Sequence, residues 1–169
     1  IGGGSICSTR IQTGHGLPGL HTIFECAKTE HDVTIIADGG IRTSGDAVKA
    51  LAAGADFVML GSMLAGTIET PGQVIHTVDG KSRKVYRGMA SKDAQMDWRG
   101  RSSSNEGVST TVSICGNVSN KMEDIKNGIK SGLSYSGARS IKELQAKAQF
   151  VRQTSAGATE SSTHIFLKK

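Results

Sequence analysis

The sequence predicts an α/β fold in which short parallel strands alternate with helices, and three observations carry that prediction. Two nearly continuous apolar runs, residues 33–37 and 57–60, have the length and composition of strands buried on both faces. Each ends in a glycine turn, Asp38-Gly39-Gly40 after the first and Gly61-Ser62 after the second. Between them Asp46, Val48, Leu51 and Ala52 fit one helix, with Ser44 as its N-cap and Gly54 as its stop. This is the β/α repeat of a parallel sheet. Such folds bind ligands at the carboxyl ends of their strands, where these glycine turns lie.

The other elements follow in chain order. The chain opens on Ile1 and the glycine loop Gly2-Gly3-Gly4-Ser5, which reads as the start of a piece cut from something longer. Residues 18–31 place Leu20, Ile23, Phe24 and Ala27 at helical spacing. Residues 76–87, with Asp79-Gly80 between extended segments, read as a β-hairpin. Residues 90–107 are polar without apolar periodicity, and a mobile loop or flap is expected there. Met122, Ile125 and Ile129 mark an amphipathic helix over 120–134, with Gly132 near its end, and a shorter helix covers 140–148. The tail from Thr154 is small and polar, expected to be flexible unless a neighbour holds it.

Composition narrows the function classes. A chain of 169 residues suits one domain or a portion of one. With 37% hydrophobic and 21% charged residues it is neither disordered nor collagen-like. The aromatic content of 4% leaves the core to Ile, Val, Leu, Met and Ala. No apolar run approaches the roughly 18 residues that span a bilayer, so no membrane partner is expected. Three cysteines at irregular spacing make no disulfide framework, which points to a reducing, cytoplasmic location. The net charge of +5 comes from dispersed cations, a solvated basic face rather than a nucleic-acid surface.

The chemistry concentrates at the glycine turns. Glycine admits a ligand close to the backbone, serine adds a hydroxyl donor, and two such turns at adjacent strand ends form a phosphate cradle. Asp38 suits ribose hydroxyls. Cys7 follows the first glycine loop directly, and neighbouring N–H groups with Arg10 favour its thiolate. Cys26, on a helix face, and Cys115 read as small buried hydrophobes. No pair of cysteines has Cys-x-x-Cys spacing, so no structural zinc site is expected.

Four motifs carry a family resemblance. Residues 2–10 (GGGSICSTR), 35–42 (IIADGGIR), 54–62 (GADFVMLGS) and 86–91 (YRGMAS) resemble, in order, those of the inosine monophosphate dehydrogenase / guanosine monophosphate reductase family. The likeness continues through residues 131–138 and beyond. It implies a (β/α)8 barrel of which residues 1–169 are the C-terminal half, one portion of a single catalytic domain, with a flap at about 90–107 and a helical tail at 154–169. By resemblance Cys7 is the nucleophile that adds to purine C2, and Thr9 and Glu106 handle protons. Ser5, Gly40, Gly61, Ser62 and Tyr86 would hold the 5′-phosphate, Asp38 the ribose, and Gly88 and Met89 the base. A potassium site is implied at the carbonyls of Gly2, Gly4 and Cys7, completed by Glu160, Ser161 and Ser162 of a neighbouring subunit in a homotetramer. Gly3 departs from the family, which usually has proline there.

The two branches share the covalent intermediate on cysteine, so Cys7 does not separate them. The dehydrogenase hydrolyses that intermediate with a long flap carrying an Arg-Tyr pair. Here residues 90–105 are all that separate Met89 from Glu106, and neither Tyr86 nor Tyr135 follows an arginine. Trp98-Arg99 comes nearest, but Trp cannot accept a proton. The resemblance therefore implies NADPH-dependent reduction of guanosine monophosphate (GMP) to inosine monophosphate (IMP) and ammonia. Tyr86-Arg87-Gly88-Met89 and the Ser/Gly-rich tail resemble the dehydrogenase, which keeps open NAD-dependent oxidation of IMP. A barrel fragment without turnover is the third reading.

Overall fold

A computed structural model describes residues 2–103 and 106–163. Two small sheets organise it. β1 (Ile36–Asp38) and β2 (Phe57–Met59) pair in parallel, with Ile36 opposite Phe57, Ala37 opposite Val58 and Asp38 opposite Met59. A crossover through α3 (Ser44–Ala52) joins them, which confirms the β/α unit. β3 (Val74–His76), β4 (Ser82–Arg87) and β5 (Ser109–Ser113) form an antiparallel sheet in that order. Its first two strands are the expected hairpin, closed over Asp79-Gly80; the third was not foreseen.

Local chemistry sets the helix ends. Thr43, not Ser44, caps α3: its hydroxyl accepts the Asp46 N–H, and the Asp46 carboxylate accepts the Thr43 N–H. This reciprocal capping box fixes the start one residue before the expected serine. α2 (Gly19–Cys26) stops short of residue 31 because nothing apolar at 28–31 extends its half-buried stripe. α1 (Thr9–Thr13) and α4 (Ser62–Ala65) are single turns too short to show periodicity. α6 (Val118–Tyr135) and α7 (Ile141–Lys147) lie where the apolar spacing put them.

The expected flap is partly helical, and the tail holds one short helix. Within 90–107, α5 (Lys92–Arg99) is capped by Ser91 and closed by Gly100. Its buried residues are Ala94 and Gln95, so it holds by hydrogen bonds more than by an apolar stripe. The Gln95 amide donates to the Ala90 carbonyl at 2.8 Å and accepts the Ser103 N–H at 2.9 Å, fastening both ends of the segment. In the tail, Thr154 caps α8 (Ser155–Glu160).

The core is built from alanine. Ala37, Ala47, Ala50 and Ala55 with Ile41 make one cluster, and Leu51, Ala138 and Leu144 the other. Small residues bring α6 close to α3: a Cβ on Gly132 would lie 2.7 Å from Val48 Cγ2. The expectation that both strands are buried on each face is corrected. Ala37 is buried against the helices, but Ile36, Phe57 and Met59, on the opposite face, are 53%, 61% and 52% exposed. Period-two alternation puts these three side chains on one side of the sheet, which the described residues leave about half uncovered. No helix among the described residues is long and apolar enough to cross a membrane.

Candidate active site

The site gathers where β1 and β2 end. A cavity of about 390 Å³ is lined by Ser5, Asp38, Gly40, Gly61, Ser62 and Tyr86, together with Gly3, Gly4, Gly39, Ile41, Arg42 and Met59. Six of the eight residues expected to touch nucleotide thus meet in one place. The Ser5 hydroxyl and the Tyr86 phenol are 3.4 Å apart, and a Cβ on Gly61 would sit 3.4 Å from that phenol oxygen. Gly39, at φ +92°, is in contact with the first loop. A Cβ there would lie 2.6 Å from the Gly3 carbonyl carbon, so the turn carrying Asp38 and the loop carrying Cys7 touch backbone to backbone.

Cys7 stands beside this cavity in a line of hydrogen bonds. Its thiol donates to the Thr9 hydroxyl at 3.2 Å, and that hydroxyl donates to the Glu106 carboxylate. The thiol's pKa lies below its ordinary value. The Thr9 side chain is the leading cause, helped by the Thr9 and Gly2 backbone N–H groups, against burial and the Glu106 charge, which raise it. Arg10, expected to assist, instead donates to the Leu17 carbonyl at 2.5 Å. The sulfur is partly open to solvent. Cys26 and Cys115 are exposed rather than buried, which corrects the expectation for both.

Backbone ties hold Glu106 near the thiol. The Gly107 N–H donates to Ser8 Oγ at 2.7 Å, and the Val108 N–H donates to the Ile6 carbonyl at 3.0 Å. Ser8 is buried, a role its position in the sequence did not announce. Gly88 and Met89 do not line the cavity but adjoin the same strip. The Gly88 N–H donates to the Val108 carbonyl, a Cβ on Gly88 would lie 3.7 Å from Ile6 Cδ1, and Met89 is 71% exposed. Arg42 and Gly3 line the cavity and were given no contact from sequence, although both belong to motifs already singled out.

The implied cation donors are not assembled within one chain. The Gly4 carbonyl accepts the Cys7 N–H at 3.1 Å and keeps its second lone pair. Ser161 and Ser162 donate their hydroxyls to the Gly157 and Thr159 carbonyls of α8. No cluster of three or more His, Cys, Asp or Glu suited to a metal occurs among the described residues.

Comparison with known proteins decides the family. The family described as "IMP dehydrogenase / GMP reductase domain" matches residues 1–164. The chain belongs to the IMP dehydrogenase / GMP reductase family. Relatives of both kinds lie at similar distance. The inosine-5′-monophosphate dehydrogenase of Nitrosopumilus maritimus is 46% identical, the match covering 99% of this chain and 38% of that protein. The GMP reductase of Leishmania major is 44% identical, covering 99% and 36%. A crystal structure of a Trypanosoma brucei GMP reductase variant in complex with guanosine 5′-monophosphate superposes with a TM-score of 0.90 at 46% identity, covering 97% of this chain and 35% of that one. The chain therefore spans between a third and two-fifths of the IMP dehydrogenase / GMP reductase relatives it matches.

Proposed function

We propose that the polypeptide containing this chain reduces GMP to IMP and ammonia at the expense of NADPH, with residues 1–169 as the C-terminal half of its (β/α)8 barrel. The observation that carries this reading is the Cys7–Thr9–Glu106 line. The low-lying Cys7 thiolate attacks C2 of the purine, forming a C–S bond. The proton given up by Cys7 passes through the Thr9 hydroxyl to the Glu106 carboxylate and returns by the same route to the 2-amino group, which leaves as ammonia. NADPH, when bound, supplies the hydride that replaces the C–S bond at C2, and the sulfur departs as thiolate.

Ser5, Gly40, Gly61, Ser62 and Tyr86 would hold the phosphate, with Arg42 adding charge at the rim. Asp38 would accept the ribose hydroxyls, and Gly88 with Met89 would offer backbone to the base. The free lone pair on the Gly4 carbonyl is compatible with potassium. Its remaining oxygens would come from Gly2, Cys7 and a second subunit's Glu160, Ser161 and Ser162, which fits a homotetramer.

Relatives named for the other reaction favour a second reading, NAD-dependent oxidation of IMP to xanthosine monophosphate. That reaction needs a base to activate water over C2. In the flap the aromatic partner of Arg99 is Trp98, whose ring lies 4.4 Å from the guanidinium and offers no proton acceptor. Assay of the full-length polypeptide with each nucleotide and cofactor pair separates the two. NADPH consumption with GMP is expected; NADH production from IMP without GMP reduction overturns the reductase.

A further inference from the structure

Lys84 is only 4% exposed, and among the described residues no carboxylate pairs with it. Its Nζ donates instead to three backbone carbonyls, those of Thr67 and Ile68 at 2.7 Å each and that of Thr70. Three donated bonds use all three protons of an ammonium. A buried lysine without a counter-ion is costly, so this one is held by carbonyl dipoles that converge as they would on a monovalent cation.

The carbonyls belong to the segment that leaves α4, and α4 begins at the Gly61-Ser62 turn. That segment is internally rigid: the Thr67 and Thr70 hydroxyls both donate to the Leu64 carbonyl, at 2.9 and 2.6 Å. Two residues further along β4, on the same strand face, Tyr86 places its phenol against Gly61 at the other end of α4.

We propose that Lys84 is a positioning residue that locks α4 to β4, and so keeps the Gly61-Ser62 turn in register with Tyr86 across the phosphate cavity. The inference rests on the phosphate reading of that cavity. Removing the ammonium frees the exit of α4, and the turn at its start loses its fixed distance from Tyr86.

The test uses the full-length polypeptide with Lys84→Met, Lys84→Ala and Ser62→Ala. Amide hydrogen exchange over residues 61–70 is expected to speed up in Lys84→Met. The nucleotide KM should rise about tenfold or more while the KM of the matching nucleoside moves less than about threefold. Ethylammonium, the missing ammonium on two of its three lost stem carbons, should restore slow exchange and a low KM in Lys84→Ala. Unchanged exchange at 61–66 in Lys84→Met overturns the proposal, as does a parallel rise in both KM values when Ser62→Ala still distinguishes nucleotide from nucleoside. Should Lys84→Met not fold, Lys84→Ala with and without ethylammonium decides, and failure of rescue overturns it. Ser62→Ala tests the phosphate reading separately. If it does not distinguish nucleotide from nucleoside while Lys84→Met still loosens 61–66, the phosphate reading fails and the lock stands.

Discussion

The Thr9 hydroxyl accepts from a thiol and donates to a carboxylate, and this shapes what each residue at the centre can do. Cys7→Ala should lower kcat by at least about 10³-fold with nucleotide binding retained, because the phosphate and ribose contacts lie elsewhere; calorimetry beside steady-state kinetics checks both halves. Glu106→Gln keeps the shape and loses the proton acceptor, so ammonia release should slow far more than binding weakens, as read from single turnovers. The thiol has a direct signature in pH. Its pKa is depressed in the folded protein, so alkylation should have its midpoint below the ordinary thiol value of about 8.5. The matching stability is present above the unfolded-state pKa and is lost as pH falls through the folded value. Exposed Cys26 and Cys115 will also alkylate, so the discriminating result is protection by bound nucleotide at Cys7 alone, scored by peptide mass. Protection that is equal at all three, or absent, removes Cys7 from the site.

At the scale of the element, the apolar pattern located α3 but set its cap on Ser44, one residue late; the fit of the Asp46 carboxylate to the Thr43 N–H moves the cap to Thr43. Thr43→Ala should therefore cost about 1 kcal/mol and Ser44→Ala much less, measured by urea unfolding. The Asp46 carboxyl is raised by partial burial, yet bonds from Lys49, Thr43 and the Arg42 N–H bring it below its usual value. The cap thus stabilises above the unfolded carboxylate range, near pH 4, and weakens as pH falls through the lower folded value. α5 escaped the sequence because Gln95 and Ser91, not a stripe of leucines, hold it. Polar networks have no period. The same reason hid Ser8, which joins the nucleophile's loop to Gly107, whereas the glycine turns and Cys7 announced themselves through residue types that few other roles require.

In the molecule as a whole, the strand pairing and its crossover follow from the hydrophobic pattern, but the pattern does not say which apolar face this chain covers by itself. Ile36, Phe57 and Met59 leave one side of the β1–β2 sheet about half uncovered. Residues 1–169 expressed alone should bind a hydrophobic dye and associate without limit as concentration rises, while the full-length polypeptide should bind no dye and stop at the proposed homotetramer; sedimentation with dye titration tests this, and a dye-silent monomeric fragment contradicts it. The contact between Gly3 and Gly39 has a consequence for selectivity. It is made by main chain on both sides, so it has no rotamer through which to lengthen or shorten. The main chain of the Asp38 turn and that of the Cys7 loop are therefore held at a spacing that no side-chain rotation at the contact can change. On the proposed reading, with sugar hydroxyls at Asp38 and the electrophilic carbon at Cys7, nucleotides whose base is carried outward on an extended linker should turn over far more slowly than GMP, as steady-state kinetics would show.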